Sequence, residues 1–271
     1  LSGADARLLD FSHNTITLNE RAPVRLSVNQ AGFLDAASGY RGNVSEAGLT
    51  QDHIELVGNR IDEAQTWKAL DVDYRLPAQP VDVKSVLTID AGCRLVFGAN
   101  GGLNIDSEGT LKAIGTEDAP ILFTGLEATP GYWRGIQFVF NNQPNEMDYT
   151  VVEYGGNNSS NVEANVGVFG SNGRLSIRNS VLQYSGQYGF NFDDGIALTF
   201  ESMLVTDNAK TGILSIHDVA KLDRLSSYQG NTDDRVGLTR PILAIPEQTI
   251  PRIDVPYVIR SGYDITVDNA L

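Results

Sequence analysis

The chain is poor in the residues from which most protein chemistry is built. Among its 271 residues there is one cysteine, Cys93, so no disulfide can form within the chain. The three histidines, His13, His53 and His217, are too far apart for zinc-type ligand spacing. Basic residues are few, 20 against 34 acidic, for a net charge of −14 and no basic stripe. That excludes nucleic acid and anionic lipid as expected partners. A calcium ion or a neutral glycan would be tolerated. No apolar run reaches the roughly 18 residues of a membrane helix, so no membrane span is expected. Nor does any stretch carry a helical apolar stripe with caps at its ends.

What is present is 27 glycines, many Asn and Asp residues, and an apolar fraction of 41%, enough for a sizeable core punctuated by turns. Cys93, in the apolar-periodic run "DAGCRLVFG", reads as a small buried thiol.

Two halves of the chain repeat one another. "QTWKALDVDYR" at 65–75 returns as "QTIPRIDVPYV" at 248–258, and "LDAASGYRGN" at 34–43 as "LDRLSSYQGN" at 222–231. "LSV" at 26–28 matches "LSI" at 214–216, and "GLTQ" at 48–51 matches "GLTR" at 237–240. These matches keep their order, as a duplicated unit requires. Residues 8–87 then correspond to about 196–271, with an insertion near Asn59–Ala64. The expected organisation is one continuous solenoid. Residues 1–61 close one unit, 62–247 form a main unit with its junction, and 248–271 begin a next one within a longer parent chain of flanking repeats.

A finer period lies inside the unit. "GVFGSNG" at 167, "GFNFDDG" at 189 and "GILSIHD" at 212 recur at steps of 22 and 23 residues, each followed by a second strand-like stretch. Short alternating strands with Gly, Asn and Asp turns at this period describe the turns of an all-β solenoid. Leu87, Ile89, Leu95, Phe97, Leu103, Ile105, Leu111, Ile121 and Phe123 are its expected core. Gly92, Gly98, Gly109 and Gly115 are its expected positive-φ corners. The proline-bearing segments 48–82 and 237–260 are expected to leave the coil as a flap or junction. Tyr154, Tyr184 and Tyr228 form an expected aromatic ladder.

The segment "LTIDAGCRLVFGANGGLNIDSEGTLKAIGTEDAPILFTGLEATPGYWRGIQF", followed by "MDYTVVEYGG", resembles the secreted bacterial right-handed parallel β-helix proteins of the pectin-lyase-like superfamily. The resemblance covers about 87–231. It implies a right-handed parallel β-helix and an extracellular or cell-surface location in a bacterium; the superfamily hosts lyases, hydrolases, adhesins and non-catalytic surface proteins alike.

Counting from the glycines of the three short blocks puts Asn172, Asp194 and His217 at one position on successive coils, with Asp193 beside Asp194. An aspartate pair one coil before a histidine is similar to polygalacturonases, in which one carboxyl serves as acid and another as base. The surrounding "SIHDV" and "GSNGR" depart from that family's pattern. "SNG" and "DDG" also read as ordinary strand-ending turns. For a calcium-dependent lyase, Asp193, Asp194, Asp207 and Asp218 could supply oxygens and Lys210 or Arg178 a base. Glycan binding would use exposed aromatic faces beside turns, for which Tyr132, Trp133 and Tyr188 are the candidates, although Trp133 also matches the packing tryptophan of the "W-x-G-I" block. Two classes follow. One is a non-catalytic structural or binding module, glycan-binding or adhesive, of a secreted or cell-surface repeat protein. The other is a polysaccharide lyase or hydrolase working near Asp193, Asp194 and His217.

Overall fold

The computed structural model describes residues 11–159, 163–170, 172–193, 196–239, 242–243, 249–260 and 266–267. The chain winds as a right-handed parallel β-helix with three faces. A six-stranded face carries Gln65–Trp67, Val86–Ile89, Thr110–Ile114, Asn145–Asp148, Arg174–Arg178 and Ala197–Glu201. An eight-stranded face runs from Val24–Ser27 and His53–Val57 to Val181–Gln183 and Leu204–Thr206. A nine-stranded face runs from Arg60–Ile61 and Pro80–Val83 through Tyr188–Phe192, Lys210–Ser215 and Asp233–Thr239 to Tyr257–Ile259. From Gln65–Trp67 to Lys210–Ser215 each coil visits the faces in that order.

Every pairing between these strands is parallel, so like residues stack in rows: Val152 on Leu182 on Val205, and Leu103 on Ile136 on Val166. Their inward members fill one continuous core. All nine expected core residues, from Leu87 to Phe123, are buried there. The corners are single left-handed residues. Tyr149, Asn179 and Ser202 turn the chain from the six- to the eight-stranded face at φ of 46°, 46° and 54°. Tyr154, Tyr184 and Asp207 turn it onward at 62°, 53° and 56°. A helical or extended residue would carry the strand straight past the corner.

Four expectations need correction. The coil length is not uniform: Asp82 and Asn104 bond at a separation of 22 residues, but Gln183 and Glu153 at 30 and Leu111 and Asn145 at 34. The extra length lies between Ile121–Gly125 and Ile136–Val139 and between Thr150–Glu153 and Ala164–Phe169, at corners, where the ladder is not interrupted. Of the four corner glycines only Gly92 has positive φ; a Cβ on Gly98 would lie 2.9 Å from the backbone of Ala78, so close approach is the reason for glycine there. Residues 53–83 stay in the coil, because Pro80 opens a strand, where its missing donor costs nothing. Tyr154 stacks on Tyr184 at 5.2 Å, but Tyr228 packs inside against Phe200.

The duplication is reproduced bond for bond. Ser27 and Ser215 cap the 3-10 turns Val28–Phe33 and Ile216–Lys221. The Tyr40 and Tyr228 hydroxyls donate to the carbonyls of Asp35 and Asp223, and their N–H groups to the carboxylates of Asp71 and Asp254. Asn43 and Asn231 donate to the carbonyls of Tyr40 and Tyr228 and receive the N–H groups of Asn19 and Asn208. Tyr74 and Tyr257 each bond the carbonyl six residues back. The "GLT" match is accidental: Gly48 lies in a loop closed by the antiparallel bridge of Val44 and Thr50, whereas Gly237 lies mid-strand. That loop, not Asn59–Ala64, accounts for most of the length difference between the copies.

The copies do not fall on the same faces. Strands Val24–Ser27, His53–Val57 and Asp73–Leu76 pair on the eight-stranded face; their counterparts Lys210–Ser215, Asp233–Thr239 and Tyr257–Ile259 pair on the nine-stranded one. Between Val24–Ser27 and Leu204–Thr206 lie seven steps of the eight-stranded face, and Lys210–Ser215 is one side further on. The unit is therefore seven turns and one third.

Candidate functional site

The glycines from which the stacked catalytic set is counted are not in register. Gly167 pairs with Asn191 rather than Gly189, and Phe190 rather than Gly189 pairs with Gly212. The glycines are not equivalent, because Asn165 and Gly189 sit at an irregular corner where Asn165 turns inward to bond Val152 and Gln183. Counting from glycines thus misaligns Asn172, Asp194 and His217. Asn172 is a left-handed turn residue at φ 68°. Asp194 lies outside the described residues. Asp193 accepts the N–H of Gly170 at 3.2 Å, as a turn carboxylate does. His217 is the second residue of the second 3-10 turn, its N–H on Ser215 Oγ at 3.2 Å. Its counterpart is Asn29, whose side chain receives the N–H groups of Asp62 and Glu63 and holds the next coil in place.

The carboxylates and bases considered for calcium chemistry are also dispersed. Asp207 is a corner residue, and Asp218 is buried against Lys221. Arg178 pairs with Glu201 on the six-stranded face, while Lys210 belongs to the nine-stranded one. Among the described residues no group of three or more His, Cys, Asp or Glu side chains could hold a metal ion.

The three aromatic candidates separate by environment. Trp133 is fully buried, stacked on Phe97 at 4.1 Å with its indole N–H on the carbonyl of Glu153, so no ring face is open to a ligand. Tyr132 is half-buried in the loop before it, its N–H on the carbonyl of Tyr154. Tyr188 is also buried, at 8% exposure, with Lys210 and Arg260 over its ring. It packs with Ala164 and Ile213 in a small cluster separate from the main core and borders a groove of about 210 Å³ on the nine-stranded face.

Lys210, Asp233, Arg235 and Arg260 surround this groove, with Gly212, Gly237 and Val258. Lys210 Nζ stands 4.7 Å from the centre of the Tyr188 ring and bonds Gln187 at 2.9 Å; the Arg260 guanidinium stands 5.8 Å from the same ring. Both contacts are cation–π in geometry. Asp233 takes a two-point bond from Arg235 at 2.6 and 2.9 Å. That bond, with the charges of Arg235 and Lys210, holds its carboxyl below the usual range against the opposing effect of burial. The Arg260 stem lies over Gly237. Three cations and one acid thus meet in one place on a chain of net charge −14.

Comparison with protein-family models, with curated proteins and with solved structures returned no match.

The groove residues other than Tyr188 and Lys210 escaped sequence reading, because Arg235 and Arg260 are separated in sequence and carry no motif. A signal did exist in the duplication. The earlier copy has Ala22, Gln51, His53 and Pro77 where the later one has Lys210, Asp233, Arg235 and Arg260. His53 is buried, and desolvation lowers its pKa, favouring the neutral form. All three groove cations are therefore departures from an uncharged counterpart.

Proposed function

We propose that this chain is a non-catalytic binding and spacing module of a secreted or cell-surface repeat protein of the pectin-lyase-like kind, and that it presents glycan-binding surface from its coils. The observation that carries the reading is the duplicated junction. A copied unit multiplies reach and contact surface, whereas a catalytic site gains little from being copied in part. The dispersal of Asp193 and His217 into turn and cap roles supports the same reading over a lyase or hydrolase.

The test is a glycan array run beside reducing-sugar and unsaturated-product assays on acidic polysaccharides, with calcium and with chelator. Binding without product release is expected. Product release abolished by Asp193→Asn or Asp194→Ala, with the fold intact, would establish the enzyme instead.

A further inference from the structure

We infer that Asn172 is a modification site at which the folded chain deamidates itself to isoaspartate, and that the fold withholds the same reaction from the other Asn-Gly pair, Asn100–Gly101. The Gly173 nitrogen attacks Cγ of Asn172, a C–N bond forms, and the side-chain nitrogen leaves as ammonia with the proton that the Gly173 nitrogen gives up. Water then opens the cyclic imide at either carbonyl. One opening leaves aspartate; the other leaves isoaspartate, with the main chain rerouted through the side chain. Asparagine is thermolabile for this reason, and a glycine after it puts no Cβ in the way of the attack.

The sequence contains "NG" twice, at 100–101 and at 172–173. The two pairs are alike in backbone and burial. Both asparagines are exposed and left-handed, at φ of 61° and 68°, and both glycines are buried at corners of the coil. They differ in what holds them. The Gly101 N–H donates to the carbonyl of Gly98 at 2.9 Å, and Asn100 Oδ1 accepts from Asn157 Nδ2 at 3.0 Å and from the Ser159 hydroxyl at 3.4 Å. The attacking nitrogen and the attacked side chain are thus both tied down. Among the described residues, neither the Gly173 N–H nor the Asn172 amide has a hydrogen bond. Breaking the bonds at Asn100 before attack slows that pair by about tenfold or more.

The product matters because of its place. Asn172 turns the chain from Ala164–Phe169 to Arg174–Arg178, where the Gly173 carbonyl accepts the Ala197 N–H at 2.7 Å and the Arg174 N–H donates to Asn141 at 3.2 Å. Isoaspartate adds one carbon to the main chain between these anchors and a negative charge to a chain already at −14.

The experiment is peptide mapping by mass spectrometry of the whole chain aged at body temperature in mildly alkaline buffer, folded and in guanidinium chloride, with isoaspartate resolved at each site by electron-transfer fragmentation. In the folded chain Asn172 is expected to convert about tenfold faster than Asn100, with isoaspartate among its products, and the two rates should converge on unfolding. If Asn100 reacts as fast as Asn172 in the folded chain, or if the ratio is the same in denaturant, the fold does not select the site and the inference falls. The isolated isoaspartyl form should melt below Asn172→Asp, which carries the charge without the extra carbon. Equal melting would remove the effect on the corner.

Discussion

At the scale of single residues, the asparagines of the corner between the eight- and nine-stranded faces do work that no apolar side chain could replace. Asn208 is buried; its amide donates to the carbonyls of Leu182 and Thr206 and to Asn231, and its oxygen accepts the N–H of Ser185. Asn208→Ala leaves these groups without partners and is expected to cost about 3 kcal/mol, read as a lowered urea midpoint. The buried phenols set the response to alkali. Burial pushes Tyr40 and Tyr257 up to about 12 and raises Tyr74 and Tyr228 in the same direction. Above pH 10 the unfolded chain releases these protons while the folded chain keeps them, so the unfolded state binds fewer protons and stability falls as pH rises. A steep drop in melting temperature between pH 10 and about 12 is expected, and Tyr40→Phe should blunt it. Cys93, also raised to about 12 by burial, should resist thiol reagents at pH 8 until the chain unfolds.

At the scale of elements, the two 3-10 turns are interchangeable parts. His217 stands where the earlier copy has Asn29, and both follow a capping serine. His217→Asn is therefore expected to change stability by less than about 1 kcal/mol in thermal melts and to leave glycan binding as it was. A loss of several kcal/mol would show that the later copy uses the imidazole in its own way. The strands themselves were legible in the sequence from alternation, because inward residues such as Leu87 and Phe123 must be apolar whatever the coil length. Register was not legible. It depends on which corner residue is left-handed and how much loop each corner carries, and Gly, Asn, Ser, Tyr and Asp all serve as corners here. The same ambiguity misaligned Asn172, Asp194 and His217.

At the scale of the molecule, the third of a turn left over in each unit makes the duplication a screw. The later copy presents its junction on the nine-stranded face, one side round from the eight-stranded face that carries the earlier one. At about 4.8 Å per coil, one unit advances about 35 Å. Inside the later copy Ser227 pairs beside Leu204, which puts Gln229 beside the far end of Leu204–Thr206, one side round from Ser202. Spin labels at Ser202→Cys and Gln229→Cys, in a Cys93→Ala background, are expected about 13 Å apart by dipolar EPR, four extended residues. A separation of about 5 Å would overturn the pairing of Leu204 with Ser227 that places Gln229 there.

The sequence by itself determined the all-β solenoid, its core residues and its duplication. Each of these follows from periodic side-chain chemistry that any single copy of the motif must carry. Only the tertiary structure decided register, the one-third offset between copies and the cationic groove. Each of those depends on summed corner lengths over many coils. A local pattern cannot record such a sum, and the sum alone brings Lys210, Arg235 and Arg260 to one groove.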